Sequence, residues 1–192
     1  MEIIKRLNWL DIFYVIVLVR IFYVTLCSEF TRELFKFLGA MLAAYLSLHY
    51  YISLGGLFLK ITHLSKTFIP FLTFLSFILL AVLGYIIFIV LRNIFFRFFN
   101  IQPNPELDKW GGLILSMIRG FLILSIFSYG LAISPISYFK NSTKDSLSGR
   151  YIIRVAPFVY LGMWNILMSK FMVGEDVSPF AWEIPDSLSE SK

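Results

Sequence analysis

Four apolar runs, each near the length a helix needs to cross a bilayer, leave this chain little room for anything else: residues 9–27, 34–52, 68–91 and 111–134. A hydrocarbon core about 30 Å thick takes roughly 20 mostly apolar residues of α-helix. The residue balance agrees, with 58% hydrophobic and only 15% charged side chains. A soluble domain runs nearer 45–50% apolar and about 25% charged. The chain therefore reads as all-α: an integral membrane four-helix bundle over 1–134. A polar linker and a membrane-associated amphipathic helix follow over 135–173, with a flexible tail over 174–192. The last apolar run, 151–172, has Arg154, Gly162, Asn165 and Ser169 on one face and Pro157 in its first turns. That pattern points to a helix lying in the interface or packed on the bundle, with a fifth span as the rival.

Charge and reactive residues narrow the function classes. The formal charge of +5 comes from Lys and Arg flanking the apolar runs, which suits anionic headgroups. No basic stripe with interleaved polar residues is present, so no nucleic-acid partner is expected. The partners expected are the bilayer itself and either a second copy or another membrane protein. Cys27 is the single cysteine, too few for a disulfide framework or a thiolate metal site. His49 and His63 have no partner at metal-ligand spacing, and His49 beside Tyr50 and Tyr51 reads as interfacial. No Gly-rich phosphate loop and no Ser, His and Asp arrangement stands out. No metal, no cofactor and no enzymatic activity are expected.

Two sets of residues carry the internal organisation. Gly39, Ala43 and Ser47 repeat every four residues in the second run, as do Gly112, Ser116 and Gly120 in the fourth. Such stripes let helix backbones approach closely. Helices two and four are expected to pack through them, against each other or across an oligomer. The third run has few small residues and suits lipid. Gly55-Gly56 is expected to end the second helix. The short polar connector at 28–33 predicts an antiparallel hairpin of the first two helices.

Alternating helices place Arg20, Glu29, Arg32, Glu33, Asp108 and Arg119 toward one membrane face. Asp108 is positioned to cap the fourth helix. Arg119 sits about eight residues into its run, roughly 12 Å deep, where an Arg needs a partner, water or a route to the surface. Glu33 and Glu29 are the reachable carboxylates. Their grouping is either a polar path or binding site, or an ion pair that fixes helix register. Asp11 belongs to the opposite face, near enough to its helix start to be wetted.

These details resemble the colicin V production protein family. Trp9-Leu10-Asp11 matches that family's Trp-x-Asp-like start. Ser28-Glu29-Phe30-Thr31-Arg32-Glu33-Leu34 matches its first connector, followed by Gly39 at the family's glycine. Asp108, Lys109, Gly112, Arg119 and Gly120 fit the spacing into its fourth helix, and Ser137-Tyr138-Phe139 and Ala156-Pro157 fit its tail. Ser28-Glu29 departs from the basic residue and Gly usual there. The resemblance implies a multi-pass protein of the bacterial inner membrane, with a role in toxin production or export and in envelope maintenance. The alternative is a non-transporting membrane scaffold or a small-solute transport component.

Overall fold

The computed structural model describes residues 8–25, 28–63, 65–99, 105–172 and 177–189, with no strand among them. Four long helices come first: α1 Trp9–Thr25, α2 Phe30–Thr62, α3 Ile69–Phe98 and α4 Pro105–Ile133. Shorter ones follow: α5 Ser137–Asp145, α6 Leu147–Ile152 and α7 Val155–Met163. A π-helical turn at Trp164–Met168 carries α7 into a last turn, Ser169–Phe171. The last helix is α8, Phe180–Ser189. Cys27 lies outside the described residues.

Among the described residues, four stretches are long and apolar enough to cross a membrane: Phe30–Thr62, Lys66–Phe98, Trp110–Ile133 and Ser148–Phe171. This set differs from the expected one at both ends. The 17 residues of α1 reach about 25 Å, at the short limit of a span. The stretch 148–171, which overlaps the run 151–172 expected as an amphipathic helix with a fifth span as its rival, has the length and apolarity instead.

The α2–α3 seam is the closest in the molecule. Phe35 meets Phe95 at one end, with ring centroids 5.0 Å apart, and Gly55 meets Thr73 near the other. Between them Gly39 lies under Tyr85 and Phe88, and a methyl on Gly84 would stand 2.7 Å from the Ala43 Cα. Gly84 thus sets the interhelix distance. Gly55-Gly56 does not end α2, contrary to expectation; the helix runs on to Thr62 and closes on His63 in the left-handed region at φ 51°. A methyl on Gly55 would stand 3.0 Å from the Thr73 hydroxyl and 3.1 Å from its Cα, a tight fit, so here the glycine serves the seam. α3 does present Ile78, Val82 and Ile86 outward, as its composition suggested, but its one buried glycine is the tightest contact.

The two stripes of small residues do not meet each other. Gly39 and Ala43 face α3, Gly112 faces the connector at Ser28 and Phe30, and Gly120 receives Leu18 and Ile21 of α1. α1 accordingly packs chiefly on α4, where the Tyr14 and Ser128 hydroxyls are 2.7 Å apart. The expected α1–α2 hairpin is therefore connected in sequence but not packed as a pair. A large side chain at Gly120 would exclude α1, which explains the choice of neighbour.

The C-terminal third is not a linker and a tail. Ile153, Ala156, Tyr160 and Trp164 enter one buried cluster with Tyr45, Leu48 and Tyr129. Pro157 lacks an N–H, so the Ile153 carbonyl four residues earlier loses its helical partner. Ser125 on α4 supplies one: its hydroxyl donates to the Ile153 carbonyl at 3.0 Å and accepts the Ala156 N–H at 2.7 Å. Residues 177–189 are also docked, correcting the tail reading. The Tyr129 hydroxyl donates to the Phe180 carbonyl at 2.8 Å, and Ala181 and Pro185 are buried.

Gly84→Ala should cost about 1–3 kcal/mol, because the added methyl forces the α2 and α3 backbones apart. Gly56→Ala, where a methyl meets nothing within 4 Å, should instead stabilise by about 0.5–1 kcal/mol. Denaturant titration of both variants in one detergent checks the contrast.

Candidate functional site

At the end of the bundle where α2 begins, Glu33 lies in the first turn with a fully buried side chain. A carboxylate so placed is tolerated only when each oxygen meets a cation or donor. Arg119 from α4 supplies one, its Nη2 lying 3.0 Å from Oε2. Lys36, one turn further along α2, binds Oε1. Lys36 is the member not singled out from sequence; its i+3 spacing from Glu33 is the signal for it. Two cations on one carboxylate leave a single positive charge in excess. The Arg119 Nε has no hydrogen-bond partner among the described residues, though the side chain is only 9% exposed.

The other charges of this end lie around that trio. Glu29 and Arg32 pair at 3.0 Å on the exposed side, and Arg32 sits 5.7 Å over the Phe96 ring. Asp108 does not cap its own helix. α4 starts at Pro105, which places Asp108 inside the first turn, and its carboxylate accepts the Phe30 N–H of α2 at 2.8 Å. It thereby caps the neighbouring helix. Arg20 is brought to the same level, next to Ile21 at Gly120, but on an exposed face away from Glu33. Ser116 is buried and bonds back to the Leu113 carbonyl of its own helix at 2.9 Å. The side chain of Lys109 lies outside the described residues.

At the opposite end Asp11 is 2% exposed, not wetted. Its Oδ1 accepts the Ser146 hydroxyl at 2.7 Å and the Ser148 N–H at 2.8 Å, and its Oδ2 accepts the Asn8 N–H at 2.9 Å. Ser146 in turn accepts the Gly149 N–H at 2.9 Å as the cap of α6. The Ser146-Leu147-Ser148-Gly149 run carries an N-cap signature, but nothing local names a partner 135 residues away. Asn8 and Trp9 add bonds to Ser142 of α5 at 2.8 and 3.1 Å. Helix α1 is thus clipped to the C-terminal third.

His49 is held in a nest of rings. Tyr45 and Trp164 stack on it with centroids 5.4 and 5.3 Å away, and Tyr50 meets it edge-on at 4.4 Å. Its Nδ1 is 2.8 Å from the Tyr160 hydroxyl, which accepts the Ser178 N–H at 2.9 Å. The Tyr45 hydroxyl donates to the Met172 sulfur at 3.0 Å. From Tyr160 to Met172 the chain covers twelve residues, about 18 Å as helix. These contacts all fall on α2 between Tyr45 and Tyr50, so the segment crosses α2 steeply. Among the described residues, no three His, Cys, Asp or Glu side chains gather as a metal site would require.

Two substitutions test these clips. Arg119→Leu should destabilise by about 3 kcal/mol, the low end for a broken buried pair because Lys36 still serves Glu33. Adding Glu33→Gln should recover part of the loss, and thermal melting of both variants in detergent measures it. Asp11→Ala should cost on the order of 3 kcal/mol through lost charge-assisted hydrogen bonds. It should also speed proteolysis of 137–150 more than that of α2 or α3.

A family model described as Colicin V production protein matches residues 10–157, from α1 through the start of α7. No curated protein and no solved structure matches the chain.

Proposed function

The chain belongs to the colicin V production protein family, and on that premise we propose a multi-pass protein of the bacterial inner membrane. Its role is in production or export of a colicin V-type toxin and in upkeep of the envelope. The observation that carries this reading is the extent of the match. It runs from α1 to the start of α7 and takes in the residues of both clips, Glu33 with Arg119 and Asp11 with Ser146.

The body acts by binding rather than by catalysis. Each buried carboxylate is paired within the fold: Asp11 accepts from Asn8, Ser146 and Ser148, and Glu33 binds Lys36 through Oε1, while its Oε2 faces Arg119 at 3.0 Å as an ion pair with no hydrogen bond among the described residues. That pairing of both carboxylates inside the fold favours a scaffold that holds partners, a second copy or another membrane protein, over a conduit that moves charge through the cluster. A toxin-producing strain lacking the gene, supplied with this chain, tests both levels. The wild-type chain should restore toxin in the medium and tolerance of detergent stress. A folded, membrane-inserted chain that restores neither overturns the role. The Arg119→Leu, Glu33→Gln double variant should restore as much as the wild type if the chain is a scaffold. A double variant that folds yet stays inactive overturns the scaffold and assigns the charges a working part.

A further inference from the structure

Helices α3 and α4 diverge over much of their length and leave a groove between them. Its volume is roughly 490 Å³, within the range of ligand-binding sites. Ala40 and Ala43 of α2 form its buried floor, Tyr85 and Ile86 belong to the α3 wall, and Ile123 and Phe127 to the α4 wall. The lining is apolar throughout apart from the Tyr85 hydroxyl. The rim is open sideways, with Val82, Ile86 and Phe127 between 40% and 50% exposed. In a membrane that opening faces acyl chains.

One end of the groove differs from the rest. Lys36 stands one turn beyond Ala40 on α2, and Arg119 one turn beyond Ile123 on α4. Arg92 stands two turns beyond Tyr85 on α3, and Tyr85 lines both the groove and a crevice that Lys36 and Arg92 share. α3 runs antiparallel to α2, as its contacts at Phe35–Phe95 and Gly55–Thr73 show. The cation of each wall therefore falls at the same end. Against Lys36, Arg92 and Arg119 stands Glu33, bound to two of them. The end is left with excess positive charge and with an Arg119 Nε that has no hydrogen-bond partner among the described residues.

A slot for a hydrocarbon chain that ends beneath three cations matches a molecule with an anionic head and a long apolar tail. We propose that this groove binds an anionic phospholipid, its acyl chain between α3 and α4 and its phosphate at Lys36, Arg92 and Arg119. The surrounding bilayer supplies such a ligand laterally, through the open rim. Burying each methylene against protein gains little over bulk lipid, so selectivity rests on the head. Charge at the mouth therefore decides which lipid stays. The proposal stands apart from the role in toxin production and is tested without it.

The full chain is purified in neutral detergent, and retained lipid is counted by native mass spectrometry after addition of phosphatidylglycerol or phosphatidylcholine with the same chains. One phosphatidylglycerol should be retained per chain, and it should raise the melting temperature where phosphatidylcholine does not. Arg92→Gln and Lys36→Gln should each weaken retention about fivefold. Among the described residues Arg92 hydrogen-bonds to exposed Asn93 alone, at 3.2 Å, so its loss should leave the bundle intact and the result readable even if Lys36→Gln unsettles Glu33. Ala81→Phe, on the groove wall, should expel the lipid without lowering the lipid-free melting temperature. Equal retention of both lipids, or retention unchanged by Arg92→Gln and by Ala81→Phe, overturns the proposal. So does a dimer that Ala81→Phe converts to monomer while lipid retention stays the same, since the groove is then filled by a second copy.

Discussion

In hydrocarbon, covering apolar surface gains almost nothing, because a lipid tail is as good a neighbour as a leucine. What remains is close contact between backbones, and in this chain that contact is concentrated where Gly84 of α3 lies on Ala43 of α2. The seam sets the two longest helices side by side in one register. α4 and the C-terminal third then pack on the outer side of α2, through Leu122, Tyr129, Ala156 and Tyr160. The divergence of α3 from α4 follows from the same constraint. α2 stands between them along the seam, and its small floor residues Ala40 and Ala43 do not fill the gap.

Polar groups do the remaining work of specification. A buried ion pair contributes little net stability, yet an unmatched Glu33 or Asp11 would be costly, so each excludes alternative registers. Glu33 accepts only an arrangement in which α4 offers Arg119 at one height. Asp11 accepts only one in which the α5–α6 junction reaches α1. Ser125 plays the same part for the backbone that Pro157 leaves open.

The helical class and the apolar runs are legible in the sequence because the bilayer sets a length that composition must meet. The contact of Arg119 with Glu33 is legible for a related reason: a deep Arg requires a partner, and few carboxylates share its face. Gly84 is not legible, since a lone glycine among Phe, Ile and Leu has no four-residue companion, its counterpart lying on another helix. The C-terminal third misleads because Pro157 and a polar stripe are the marks of a surface helix, and a single serine on α4 removes the penalty. Asp11 misleads because nearness to a helix start usually means water, whereas here the donors come from the far end of the chain.

The Asp11 clip has a consequence for how the molecule is made. A ribosome delivers α1 to the membrane long before residues 146 and 148 exist, so Asp11 enters as an ionised group with its Ser146 and Ser148 partners missing. Until they are synthesised, the carboxylate has to remain hydrated, which keeps the start of α1 anchored at the aqueous boundary and prevents it from sliding inward. Completion of the chain then replaces that water with one hydroxyl and one amide donor. The same residue serves first as a float during insertion and afterwards as the latch that closes the finished fold.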